Sequence, residues 1–197
     1  MPTVTIDGKT IAVEPGSTII QAADALGIYI PRFCYHPKLS VVAQCRQCMV
    51  EIQQPAPPPG AAPRPFTACS TPVTDGMVVS TTSEVAVQAQ KGVVEFLLLN
   101  HPLDCPICDQ GGECPLQDIT MSFGKSITRS EFVRRTYPKL EISAYIEPEM
   151  NRCVHCTRCM RFSEEIDGAS EFGFVDRGDR TMVDTYHGLD VSVKSTV

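Results

Sequence analysis

The sequence predicts an α+β chain built from small parts that need cofactors, and three observations predict it. The first fourteen residues alternate apolar and polar side chains twice, a capped helix follows, and ten cysteines fall by spacing into three groups. A chain of 197 residues with 43% hydrophobic content can bury one core or a string of smaller ones, and small cores need staples.

The elements follow in order. Val4 and Ile6 alternate with polar neighbours, Asp7-Gly8 supplies a turn, and Ile11 and Val13 alternate again, so residues 3 to 14 predict a hairpin. Pro15-Gly16 breaks it. Thr18-x-x-Gln21 reads as a capping box for a helix with Ile19, Ala22, Ala23 and Leu26 on one face, closed by Gly27. Residues 31 to 48 form a cysteine-bearing loop, Met49 to Ile52 a third strand and Met77 to Ser80 a closing strand. The proline-rich run from Gln54 to Pro65 predicts a surface loop within the domain. From Ser83 a helix is expected, with Val85, Ala89, Val93, Phe96 and Leu97 at helical spacing, stopped by Asn100 and Pro102. Strand, strand, helix, loop, strand, strand is the order of a β-grasp ferredoxin.

The spacing of the cysteines carries the chemistry. Cys34, Cys45, Cys48 and Cys69 form C-x10-C-x2-C-x20-C, which resembles the plant-type ferredoxin arrangement with a longer first gap. His101-x3-Cys105-x2-Cys108-x5-Cys114 sets one imidazole beside three thiolates around Gly111-Gly112, a loop able to wrap an iron–sulfur cubane. Cys153, Cys156 and Cys159 form C-x2-C-x2-C, three thiolates without a fourth partner in sight. Zinc pairs one C-x2-C with a second, and no set here does so. A disulfide framework would need an oxidising compartment, and the start Met-Pro-Thr-Val-Thr-Ile-Asp is expected to be no secretory leader. His36, His155 and His187 are expected to be ordinary residues, although His36 and His155 adjoin cysteines and are placed to donate a hydrogen bond to sulfur. Arg46, Arg152, Arg158 and Arg161 flank the cysteines and read individually as solvated charge, the alternative being local cations that favour the reduced clusters or dock an acidic partner face.

A net charge of −6 and a pI near 5.2 argue against nucleic acid as a partner, since neutralising phosphates needs a basic face. The most apolar run, Gly92 to Asn100, is far shorter than the roughly 18 residues of a spanning helix, so the chain is expected to be soluble. Neither a G-x-G-x-x-G fingerprint nor a Walker loop occurs, so nothing points to NADH binding by this chain.

The run from Asn100 through His101 to Cys114, followed by Met150 to Phe162, resembles the large iron–sulfur subunit of bacterial respiratory complex I, the NADH:quinone oxidoreductase. The likeness covers essentially the whole chain. It implies a 2Fe-2S cluster on Cys34, Cys45, Cys48 and Cys69, and a 4Fe-4S cluster on His101, Cys105, Cys108 and Cys114. It assigns Cys153, Cys156 and Cys159 to a second 4Fe-4S cluster whose fourth ligand, in that family, lies further downstream. Here Ser163 stands where a bacterial-type run would place a fourth cysteine, and every other cysteine is assigned, so the site is incomplete and the chain reads as an N-terminal fragment. Three domains are expected: residues 1–82, a 2Fe-2S β-grasp domain; 83–123, a His(Cys)3 4Fe-4S helical and loop domain; and 124–197, a partial 4Fe-4S ferredoxin-like domain.

The resemblance further implies an electron relay with no catalytic residue of its own. Its partners would be a flavin-containing, NADH-binding subunit and other iron–sulfur subunits, with the membrane arm reached only indirectly. Its place would be the cytoplasmic side of the inner membrane, held peripherally. A diaphorase subunit of an NAD-reducing hydrogenase or formate dehydrogenase is the alternative.

Overall fold

The computed structural model describes residues 1–56, 58–60, 62–143 and 146–185. By internal contacts the chain divides into two units. One comprises Met1–Tyr35, Val41–Phe96 and Cys105–Thr128; the other comprises His36–Ser40, Leu97–Asp104 and the chain from Arg129 onward.

The first unit is built on a five-stranded sheet of β1 (Thr3–Ile6), β2 (Lys9–Ala12), β3 (Met49–Gln54), β4 (Pro65–Thr67) and β5 (Met77–Ser80). Their spatial order is β2-β1-β5-β3-β4. Strands β1 and β2 pair antiparallel around Asp7-Gly8, whose φ values of 46° and 82° suit a two-residue hairpin turn. The central pair β1 and β5 is parallel, with Val4 opposite Met77 and Ile6 opposite Val79. A parallel pair needs a crossover, and helix α1 (Ile19–Ala25) supplies part of it. Gln21 Oε1 accepts from the Thr18 amide at 2.8 Å, the N3 half of the expected capping box. Gly27, at φ 68°, turns the chain away after the helix. Ile19, Ile20, Ala22 and Ala23 of α1 are fully buried, and the core also contains Val4, Ile6, Val50 and Val79.

The described residues of the proline-rich run are exposed, and β4, which follows, is a strand absent from the sequence expectation. This strand is three residues long and lies at the sheet edge, where Pro65 forfeits no ladder bond that the sheet requires. Helix α2 (Glu84–Asn100) starts as expected after Ser83, whose Oγ accepts from the Ala86 amide at 3.3 Å. Its buried stripe differs from the expected one. Ala86, Gln90 and Val94 are buried, whereas Val85, Ala89 and Val93 are half-buried and Phe96 is 75% exposed. The reason is polar: the Gln90 amide donates to the Met49 carbonyl at 2.8 Å, so this face turns inward. Helix α3 (Pro115–Phe123) buries Leu116 and Ile119 and sets Phe123 against Tyr29, ring centroids 6.4 Å apart.

The second unit holds the antiparallel pair β6 (Phe172–Val175) and β7 (Met182–Thr185), and the short helix α4 (Arg158–Phe162), which runs on into a π-helical turn at Ser163–Asp167. Ile142, Met150, Phe172 and Val183 make its core. Asn151 clasps Tyr137 from both sides, accepting from its amide at 2.7 Å and donating to its carbonyl at 3.2 Å. The strand-like alternation at 189–194 and His187 lie outside the described residues.

Ile20→Ala should lower the unfolding free energy by about 2–5 kcal/mol, because a fully buried side chain leaves a cavity. Phe96→Ala, on an exposed face, should change it by no more than about 0.5 kcal/mol. Denaturant unfolding of both variants checks this; equal losses would refute the observed rotation of α2.

Candidate iron–sulfur centres

The first cysteine group is held by the β-grasp core. The amides of Ile19 and Ile20, left without helical partners at the start of α1, donate to the carbonyls of Thr71 and Ala68 at 3.0 Å each. Those carbonyls bracket Cys69, so burial of α1 fixes the position of this thiol. Cys48 leads directly into β3, and the Ala68 amide donates to its carbonyl at 2.9 Å. Cys34, Cys48 and Cys69 are buried, and Cys45 is half-buried. Between Cys45 and Cys48 the chain turns through Arg46 at φ 59°, a left-handed conformation that a non-glycine residue adopts at a cost.

The four thiols form a chain of hydrogen-bonding contacts, Cys45 to Cys34, Cys34 to Cys69 and Cys69 to Cys48. Cys45 and Cys69 donate to Cys34 and pull its pKa down to about 2, against the effect of burial; the Cys34 amide also donates to Cys45 Sγ at 3.4 Å. Donation from Cys69 draws Cys48 down to about 7. Cys45 and Cys69, as donors to Cys34, are held protonated, their thiol pKa values pushed up. Cys34 thus already favours the thiolate, the form that binds iron. Among the described residues no group of three or more histidine, cysteine or carboxylate side chains is set to hold a metal ion as it stands. A cluster asks something different, because its ligands are divided among several irons rather than converging on one. The donor chemistry of this group fits a 2Fe-2S cluster.

The second cysteine group lies on one loop. Cys105–Ile107 forms a 3-10 turn, the Gly111 amide donates to the Cys108 carbonyl at 2.9 Å, and Cys114 caps α3 with Pro115 as its first residue. A Cβ on Gly111 would sit 2.6 Å from the Cys105 carbonyl oxygen and 3.0 Å from that of Cys108, so only glycine permits this wrap. Gly112 follows at φ 90°. Three thiols on a loop closed this tightly fit three corners of a cubane. His101 falls within the second unit, half-buried. Burial, and then the charges of Arg152 and Arg134, push its pKa below the ordinary histidine value despite Asp104. Its imidazole is therefore neutral at pH 7, the form that ligates metal.

The third group sits in the second unit on the turn that leads into α4. Met150–Arg152 forms a 3-10 turn capped by Glu149, which accepts from the Asn151 amide at 3.1 Å. His155 and Thr157 follow at φ 50° and 62°, and left-handed conformation is especially costly for a β-branched residue such as Thr157. These two residues alternate with Cys153, Cys156 and Cys159 in sequence; the turn carries Cys153 and Cys156, and Cys159 stands in the first turn of α4. Burial pushes the Cys153 thiol up, while the His155 amide opposes this by donating to its sulfur at 3.3 Å. The donor expected of the His155 ring is thus its backbone N–H; the ring packs edge-on against Phe174, centroids 5.9 Å apart. His36 Nδ1 accepts from the Lys38 amide at 3.2 Å. Three half-exposed to exposed thiols at one strained turn fit a partial cubane site.

Arg46 is exposed, in keeping with solvated charge. Arg152 pairs with Asp104 at 3.2 Å. Arg161 overturns the expectation: it is 5% exposed, the one charged side chain among the buried described residues, and it donates to the Cys156 carbonyl at 3.3 Å. Its distance of two residues from Cys159 was the only sequence signal, and solvation cannot be read from spacing.

Three families match in chain order. Residues 1–84 match a 2Fe-2S iron–sulfur cluster binding domain, 90–129 the NADH-ubiquinone oxidoreductase-G iron–sulfur binding region, and 143–196 the ferredoxin-like domain of NADH-quinone oxidoreductase subunit 3. The NADH-ubiquinone oxidoreductase 75 kDa subunit of Reclinomonas americana is 45% identical over 94% of this chain and 26% of its own length. The mitochondrial 78 kDa subunit of Neurospora crassa is 46% identical over 93% of this chain and 24% of its own length. The chain therefore spans about a quarter of the length of these relatives. Among solved structures, a chain of an NAD+-reducing [NiFe]-hydrogenase in the H2-reduced state superposes with a TM-score of 0.82 at 27% identity, over 93% of this chain and 74% of that one. Among the described residues no helix is long and apolar enough to cross a membrane. The cofactors of the chain are iron–sulfur clusters, of the 2Fe-2S type in its first region and the 4Fe-4S type in the other two. In sequence, fold and the order of its cluster regions, the chain is similar to the iron–sulfur subunits of NADH-ubiquinone oxidoreductase.

Proposed function

We propose that the chain relays single electrons within an NADH:quinone oxidoreductase, from an NADH-oxidising flavin subunit, by way of its iron–sulfur clusters, towards quinone. The observation that carries this is the coincidence of each spaced cysteine group with one of the three matched regions, in the same order. Cys34, Cys45, Cys48 and Cys69 hold the 2Fe-2S cluster. His101, Cys105, Cys108 and Cys114 hold one 4Fe-4S cluster, and Cys153, Cys156 and Cys159 hold three corners of the other. The cluster-bearing segments are 1–82, 83–123 and 124–197. When bound, such clusters supply reversible one-electron transfer.

The residues of the chain do the rest. They bury thiolates, aim amide N–H groups at sulfur and set local charge, the levers that tune cluster potential. The partners are the flavin subunit and neighbouring iron–sulfur subunits, and attachment to the cytoplasmic face of the membrane runs through them. The superposition on the hydrogenase chain favours a second reading, a diaphorase subunit that exchanges electrons with NAD in a hydrogenase. The identity of 45% and 46% to the NADH-ubiquinone oxidoreductase subunits, against 27%, supports the first.

Anaerobically purified chain should contain about ten irons with matching acid-labile sulfide, and reduced samples should give EPR signals of both cluster types. About six irons would leave the Cys153 turn empty, and zinc without sulfide would overturn the relay altogether. His101→Cys should make the midpoint potential of its cluster more negative, since an anionic thiolate replaces a neutral imidazole; an unmoved redox titration would remove His101 from the ligand set. Gly111→Ala should cost about four irons while sparing the 2Fe-2S signal, because the added methyl collides with the Cys105 carbonyl. Full iron content in that variant would refute the tight wrap as a ligand-placing device.

A further inference from the structure

Arg32 stands two residues before Cys34, and every nitrogen of its guanidinium is engaged. Nη1 and Nη2 donate to the two carboxylate oxygens of Asp24 at 2.7 Å each, and Nε donates to the Ile30 carbonyl at 2.8 Å. The Arg32 side chain is only 15% exposed, and its guanidinium carbon lies 5.6 Å from the ring centres of both Tyr29 and Tyr35. Asp24 belongs to α1, whose apolar face is buried in the core. On the other side of Cys34, the buried Tyr35 forms a side-chain hydrogen bond with Gln21, one turn earlier on the same helix. We infer that Arg32 and Asp24 form a clamp that positions Cys34 as a ligand of the 2Fe-2S cluster, with Arg32 the positioning residue and α1 the anchor.

The physical case starts from what the cysteine loop lacks. Between Ala25 and Met49 the chain forms neither helix nor strand, so no ladder of backbone bonds fixes Cys34. The Cys34 amide bonds only within the same loop, to Cys45 Sγ. Side-chain ties at Arg32 and Tyr35 therefore bracket the thiol and hold it to the helix whose first amides already fix the carbonyls beside Cys69. Because Asp24 balances the charge of Arg32, the pair acts by placement and not by its field at the cluster. Two parallel charge-assisted bonds set the plane of the guanidinium, and the third folds the chain back onto Ile30. Lysine would keep the charge but could not hold both carboxylate oxygens and the Ile30 carbonyl in one plane.

This inference rests on the reading of Cys34 as a cluster ligand, and the test separates the two. Wild-type chain, C34A, R32K, D24N, the double variant D24N/R32K and V4A, a core-weakened control on β1, are purified anaerobically. Each is exposed to excess iron chelator, and loss of the 2Fe-2S EPR signal is followed in reduced aliquots with the 4Fe-4S signals as internal reference. R32K and D24N should each lose the 2Fe-2S signal about tenfold faster than wild type, as expected where a bidentate charge-assisted contact is broken. The double variant should be no faster than the faster single one, since both substitutions break the same contact. Absence of the 2Fe-2S signal from the start in R32K and D24N, beside intact 4Fe-4S signals and a normal V4A, also supports the clamp. Wild-type rates in R32K and D24N, additive effects in the double variant, an equal acceleration in V4A, or loss of all cluster signals together overturns the positioning role. A native 2Fe-2S signal in C34A overturns the ligand reading itself, and the inference with it.

Discussion

Burial of helix α1 against the sheet is the constraint on which the first centre depends. Ile19, Ile20, Ala22 and Ala23 leave water completely, and the cost of orphaned amides at the helix start is met by the carbonyls on either side of Cys69. A hydrophobic contact is thereby converted into the position of a thiol. Cys48 is fixed from the other side, at the mouth of β3 and bonded to Ala68. Two of the four thiols of the first group are therefore tied to the same core, and the loop that precedes Cys48 carries Cys34 and Cys45.

Three C-x2-C turns, around Arg46, His155 and Thr157, use a non-glycine residue at positive φ. Such residues cost free energy that the surrounding contacts must offset, and they collect where a site needs backbone amides turned inward. The His155 amide on Cys153 Sγ is that arrangement realised. The second loop solves the same problem with glycine: Gly111 permits an approach to two carbonyls that any side chain would block.

The second unit adds charge to geometry. Its core is small, and polar clasps such as Asn151 on Tyr137 and Ser163, which accepts from the Glu171 amide at 3.2 Å, do much of the fastening. Ser163, where another cysteine would have completed a familiar run, is fully buried and serves the backbone. Arg161 lies within this polar framework, out of water and bonded to the Cys156-Thr157 turn.

The sequence by itself determined β1, β2, β3, β5, the start of α2 and the three cysteine groups, because alternation, capping residues and cysteine spacing are local properties of the chain. Strand β4 escaped notice because a three-residue edge strand beginning with proline exists only through its partner β3. Helix α3 and the β6–β7 pair likewise carried no pattern strong enough to announce them. The buried face of α2 was misassigned because Gln90 turns inward for the Met49 carbonyl, a partner far away in sequence. Arg161 read as solvated charge for the same reason: its acceptor Ser40 lies 121 residues away. Only the tertiary structure decides which polar groups are taken out of water, because that depends on acceptors brought together by folding, whereas the spacing of ligands is written along the chain.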